Sequence, residues 1–213
     1  MGTLVFSGEG GSSAQTAIDG TAAGDIWDNG LGISSPKASE AGNNSMLYTL
    51  PSLMDDLTLK ASYSPSGAEK PNSATAYSIS YAGIEGLTVS AAMGENNNAA
   101  DSVDNTIFGV KYAMGAFTIG YQVNESDSQA ASSDEDFTAI GVSYAVSDDL
   151  SVSYNISEID LEGSTENQEA TGVSFSYTSG GMTISGTHSQ VDNVGNSASA
   201  DNTGYEVNFV FAF

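Results

Sequence analysis

Along most of this chain, bulky apolar residues alternate with small polar ones. Ile140, Val142, Tyr144 and Val146 interleave with Ala139, Gly141, Ser143 and Ala145. Leu150, Val152, Tyr154 and Ile156 interleave with Ser151, Ser153, Asn155 and Ser157, and Val173, Phe175 and Tyr177 with Gly172, Ser174 and Ser176. A period of two belongs to the β-strand, whose successive side chains point to opposite faces. The pattern predicts about twelve strands, near residues 2–8, 45–50, 57–64, 75–82, 87–93, 106–114, 117–124, 137–146, 150–157, 171–178, 182–189 and 204–213.

The connections alternate in length. Residues 51–56, 83–86, 115–116, 147–149 and 179–181 are short; 9–44, 65–74, 94–105, 125–136, 158–170 and 190–203 are long and polar. Short turns on one side and long loops on the other are the layout of an outer-membrane barrel, whose tilted strands need about 9–11 residues to cross a bilayer. The expected fold class is therefore all-β: a transmembrane antiparallel up-and-down β-barrel with about twelve strands present. A repeat supports the register. Tyr48, Tyr81, Tyr112, Tyr144 and Tyr177 each precede a short turn, at spacings of 33, 31, 32 and 33 residues, one hairpin plus one loop each time. In a barrel they would form an aromatic girdle at one membrane interface. Tyr63, Tyr77, Phe137 and Tyr205 fall near the long-loop ends, where a second girdle is expected.

Alternation also occurs in soluble sandwiches. The polar face is more informative here. It carries Ser, Gly, Ala, Thr and Asn rather than long charged side chains, which suits a water-filled lumen. The apolar face carries no charge in these segments, while Lys60, Lys111 and Glu206 fall on the polar face.

Composition narrows the function classes. Four lysines, no arginine and a net charge of −23 exclude a basic nucleic-acid surface. No cysteine means no disulfide, thiol nucleophile or thiolate metal site. No apolar run reaches the length of a membrane helix. Met1 is followed at once by Gly-Thr-Leu-Val-Phe, with no signal-peptide pattern. A barrel must be exported, so either a signal has been removed or the sequence begins inside a longer one.

The final segment, Tyr205 to Phe213, is aromatic, alternating and ends on Phe. It resembles the C-terminal signature of outer-membrane proteins, which implies that Phe213 serves as an assembly signal for the barrel-assembly machinery. Gly2-Thr3-Leu4-Val5-Phe6, Asn44-Ser45-Met46-Leu47-Tyr48 and Leu57 to Pro65 resemble the strands around the constriction loop of the general bacterial porins. The longest connection, 9–44, lies where that loop would. The resemblance implies a passive diffusion channel for small hydrophilic solutes in the Gram-negative outer membrane, a homotrimer embedded in outer-membrane lipid, and no cofactor or catalysis. It also implies that residues 1–213 are one porin domain, twelve of sixteen strands, with the first four missing. One position where the family places a wall arginine matches Thr49, which is not basic.

The 9–44 loop holds Glu9, Asp19, Asp25, Asp28 and Glu40, with Trp27 among them. Facing Lys60 and Lys111 across a lumen, Asp19, Asp25, Asp28 and Glu40 would set a transverse field at a pore constriction. His188, the one histidine, falls on the apolar face with Met182 and Ile184, an interfacial position rather than a catalytic base. Asp134-Glu135-Asp136 and the pair Asp101/Asp104 lack calcium-loop spacing and read as solubilising loop charge, with no metal site. Gly10-Gly11 and Gly180-Gly181 are turn residues, since no strand–glycine–helix context surrounds them. The rival readings are a complete twelve-stranded barrel with a specific transport or hydrolase role, and a soluble, secreted acidic β-protein such as an adhesin.

Overall fold

Among the described residues each strand hydrogen-bonds to its sequence neighbours and to no other strand, so chain order is also sheet order. The computed structural model describes residues 1–16, 18, 20–23, 36–39, 43–67, 72–98 and 101–212. Its strands are β1 (Thr3–Ser7), β2 (Ser45–Thr49), β3 (Leu57–Ser64), β4 (Ser73–Ile84), β5 (Leu87–Asn97) and β6 (Val103–Met114). They continue with β7 (Phe117–Ser128), β8 (Glu135–Ala145), β9 (Leu150–Leu161), β10 (Gln168–Ser179), β11 (Met182–Asp192) and β12 (Asn202–Phe211). All pairings are antiparallel, as up-and-down connections require. Among the described residues β1 and β12 are the two ends of the sheet, and neither pairs with the other. The two-residue turn Gly115–Ala116 between β6 and β7 places Gly115 at φ 61°, a conformation that side chains with a Cβ rarely adopt.

Directly opposed residues share a face, so the registers sort the side chains. Tyr48 opposes Ala61 and Leu4; Tyr112 opposes Leu87 and Ile119; Tyr144 opposes Phe117 and Val152; Tyr177 opposes Leu150 and Ile184. These belong to the outer face, which is apolar and exposed over its turn-side half. Ile140 is 56% exposed and Val173 54%. The inner face carries the described parts of the 9–44 loop and is small and polar in the same half.

The strands run farther toward the long loops than the hydrophobic pattern indicated. β5 continues to Asn97, β7 to Ser128 and β9 to Leu161, and β10 begins at Gln168. The alternation persists there, with its polarity reversed. On the outer face Glu95 opposes Asp104, which opposes Asp127. Glu125 opposes Asp136, which opposes Asp160, and Glu158 opposes Glu169, which opposes Asp192. Residues that read as loop acids are strand positions aimed outward.

On the inner face at the same height, Phe137, Ala139 and Ile159 form a buried cluster, with Ala170 and Val191 also buried. Phe137 is 1% exposed. The expectation that it joins an outer girdle is thus corrected: it opposes Asn124 and Ile159 on the inner face. Tyr63, Tyr77 and Tyr205 do lie on the outer face. A 3-10 turn at Val194–Asn196 closes over this end, with Asn196 Nδ2 donating to the carbonyls of Ile159 (2.8 Å) and Glu166 (3.1 Å).

Candidate functional site

The described parts of the 9–44 loop lie on the inner face, and the wall is shaped to receive them. Gly109, Gly120 and Gly141 occupy inner positions on three successive strands, and Gly120 opposes Gly141. A Cβ on Gly120 would collide with the backbone of Gly20 and Thr21, one on Gly141 with the carbonyl oxygen of Thr21, and one on Gly109 would press on Gly20 and Ile18. Only glycine lets the two backbones approach so closely.

Polar side chains fix the loop at this distance. The Ala14 amide donates to Ser62 Oγ on β3 (2.9 Å). Gln15 bridges two segments: Nε2 donates to the Asn105 carbonyl on β6 (2.7 Å), while Oε1 accepts the Ser39 amide (2.5 Å). The Gly20 amide donates to Gln122 Oε1 on β7 (2.8 Å), and Gln122 Nε2 to Asn124 Oδ1 (3.0 Å). Lys37 in the returning arm meets Glu135 on β8 twice, through its amide to Oε1 (3.1 Å) and Nζ to Oε2 (3.4 Å). Its Nζ also donates to the Ser133 carbonyl (3.1 Å). Glu135 is buried while Lys37 is 41% exposed, so water screens the ion pair, and its value is at most about 1 kcal/mol.

The run Asp134-Glu135-Asp136 therefore divides. Asp134 Oδ1 accepts the Ser128 amide (2.8 Å), Glu135 turns inward to Lys37, and Asp136 points outward. Reading all three as solubilising loop charge missed Glu135. Gln15, Lys37 and Gln122 were also missed. Their partners stand roughly ninety or more residues away in the chain, and no local pattern marks them.

Two cavities border the loop. One, of about 270 Å³, lies beneath Ile18 and is lined by Lys60, Lys111 and hydroxyls of β3, β4 and β5. The other, of about 500 Å³, lies beside Ala22 and Ala23, with serines of β8 to β11, Thr187, Asn208 and Glu206 on its wall. The two lysines expected at a constriction thus share one cavity, Lys60 opposing Ser78 and Lys111 opposing Thr88. Thr49 opposes Lys60, so a cation stands beside the position where the wall arginine was expected. Glu9 is exposed at the start of the loop. Asp19, Asp25, Asp28, Glu40, Trp27 and the terminal Phe213 lie outside the described residues. His188 is half-buried on the outer face, its ring 4.4 Å from that of Tyr205. Among the described residues no group of acids or histidine could hold a metal ion.

Comparison with curated protein sequences gave no match. Several solved outer-membrane structures share the fold. The anion-selective porin from Comamonas acidovorans superposes with a TM-score of 0.68 at 13% identity, over 81% of this chain and 60% of that one. Outer-membrane expressed OmpT of Vibrio cholerae gives 0.65 at 14% identity, over 81% and 66%. The trimer form of in-vitro folded OmpT gives 0.73 at 16% identity, over 100% and 77%. The chain thus spans less than two thirds of the Comamonas porin and of the outer-membrane expressed OmpT. The sequence profile of Gram-negative porins matches residues 3–177, which also assigns the protein to the bacterial outer membrane. This chain belongs to the Gram-negative porin family.

Proposed function

We propose that the chain forms most of a passive outer-membrane diffusion channel for small hydrophilic solutes and ions. The observation that carries this reading is the described part of the 9–44 loop seated on the inner face, bordered by two cavities with hydroxyl-lined walls. Such a loop narrows a lumen, and passage then depends on width, polarity and field rather than on a catalytic group. Asp19, Asp25, Asp28 and Glu40 act with Lys60 and Lys111 at this constriction. Tyr48, Tyr81, Tyr112, Tyr144 and Tyr177 anchor the turn-side interface, and Phe213 is read by the barrel-assembly machinery. The full-length protein is a homotrimer without enzymatic activity or cofactor.

The barrel is completed by about four more strands. In lipid each unpaired edge group costs several kcal/mol, and the edges of β1 and β12 require partners. The larger size of the structural neighbours supports the same completion.

The test is to reconstitute the full-length protein in planar bilayers bathed by a salt gradient. Conductance with a cation-favouring reversal potential is expected, displaced toward anions when Asp19, Asp25 and Asp28 are replaced together by Asn. An unchanged potential would remove these acids from the constriction. A folded trimer without conductance would overturn the channel reading.

A further inference from the structure

We propose that the connection between β11 and β12, residues 193–201, is a fixed cap on the long-loop mouth that sorts uncharged solutes by size; the inference rests on the channel reading above. A hairpin connection that simply continued its two strands would stand above β11 and β12. This one leans back along the wall, and its 3-10 turn, Val194–Asn196, lies against β9 and β10. The Gly195 amide donates to Oε1 of Gln168 (3.0 Å), a buried side chain that opposes Ile159 of the inner cluster. Asn196 Nδ2 donates to the carbonyls of Ile159 and Glu166, and Asn193 Nδ2 to that of Asn167 (3.1 Å). From the β11–β12 hairpin to β9 is two to three strand spacings, roughly 10–14 Å. Across a curved barrel wall a segment of that reach follows the chord, and the chord lies on the lumen side.

The cap is braced within itself. The Val194 amide donates to the Ala200 carbonyl (2.8 Å) and the Ala200 amide to the Ser197 carbonyl (3.1 Å). The Ser199 amide donates to Asn193 Oδ1 (3.3 Å), and the Asn193 amide to Asp201 Oδ1 (3.2 Å). Asn193, Gly195, Asn196 and Ser199 all have positive φ, between 55° and 62°. Glycine and asparagine reach that region most readily, so the local sequence itself bends the loop. Asn193 and Asn196 are then the positioning residues: each sits in a bend and each ties the cap to the β9–β10 end. Between Asp192 and Asp201 the cap carries no charged residue. An uncharged, braced obstacle acts on a solute through width and not through sign. Lys60 and Lys111 stand nearer the turns, so the charged constriction lies deeper and in series with it.

The experiment is sugar entry into vesicles carrying the full-length natural protein, with single-channel recording on the same samples. Asn193→Gly combined with Asn196→Gly removes the side-chain ties and keeps both left-handed backbone positions. The pair should speed entry of the trisaccharide raffinose about threefold or more. Entry of the pentose arabinose should change far less, and the reversal potential in a salt gradient should stay where it is. Excising residues 194–199 joins positions that already meet, since the Val194 amide bonds Ala200, and should act in the same direction more strongly. Ile159→Cys gives a second reading, because it places a thiol in a chain that has none. Ile159 is 2% exposed. An impermeant maleimide added to intact cells should label this variant slowly, and faster once the two asparagines are replaced. Heat-modifiable migration checks that each variant folds. Raffinose entry that neither cap variant alters would overturn the proposal. So would labelling that the paired asparagine substitution leaves unchanged. A reversal potential displaced together with the sugar rates would make cap and constriction one filter, and would overturn the separate role assigned here. Absence of any channel would instead overturn the reading on which the cap rests.

Discussion

The turn-side and loop-side halves of the same strands carry opposite surfaces. On β8, Ile140, Val142 and Tyr144 face outward near the turns, and Ala139, Gly141 and Ser143 face inward. A few residues farther along, Asp136 and Thr138 face outward while Phe137 is sealed inside. The backbone geometry does not change between the halves; the medium outside does. Lipid surrounds one half and selects an apolar exterior. Water surrounds the other, so apolar side chains there turn inward, as in a soluble protein. The boundary falls where the outer acids begin, and it marks the edge of the hydrocarbon zone.

This comparison can be broken most severely from within. Phe137→Ala removes the largest side chain of the inner cluster and should destabilise the folded protein by about 3–5 kcal/mol. The readout is urea-dependent unfolding in phospholipid vesicles. A loss below 1 kcal/mol would mean that the loop-side interior is not a packed core.

Charge placed on the outer face separates the halves directly. Val142→Lys should cost about 2–4 kcal/mol if that position lies at mid-depth in lipid. Thr138→Lys, on the same face of β8 but opposite Glu158, should instead be neutral or stabilise by about 0.2–1 kcal/mol. Equal costs at the two positions would erase the boundary proposed here.

The mildest effect is electrostatic. The rows Glu95–Asp104–Asp127, Glu125–Asp136–Asp160 and Glu158–Glu169–Asp192 place like charges directly opposite one another. Each such pair is destabilising by under about 1 kcal/mol. Raising ionic strength from about 0.01 to 0.1 M shortens the Debye length from about 30 to 10 Å. The unfolding midpoint should therefore rise with salt, and replacing Asp104, Asp136 and Glu169 by Asn or Gln should flatten that dependence. A midpoint that falls with salt would show that the rows are compensated in another way.

Much of the fold was legible because strand alternation is local. Tyr144 beside Val142, or Ser153 between Val152 and Tyr154, needs no distant partner to declare its face. The count and order of strands followed, as did the outward placement of the five repeated tyrosines. The loop-side strand ends were not legible, because Glu158, Asp160 and Glu169 look alike in a loop and on a water-facing strand. Phe137 misled for a related reason: an aromatic residue near a strand end suits an interface girdle as readily as a buried cluster, and only its neighbours Ile159 and Asn124 decide between them.

The candidate site divides along the same line. That Lys60 and Lys111 belong to the polar face could be read from residue spacing alone. That both lysines border a single cavity could not, because it depends on the register of β3 to β6 and on Ile18 lying above them. The fastening of the loop is likewise tertiary: Gln15 meets Asn105, Gly20 meets Gln122 and Lys37 meets Glu135 across 90, 102 and 98 residues of chain. By itself the sequence determined which residues share a face, since the pleat enforces a period of two wherever a strand forms. The tertiary structure alone decided what each face meets, lipid, water, loop or cavity, because those neighbours are brought together by strand register and chain return, and neither is written in any local stretch of residues.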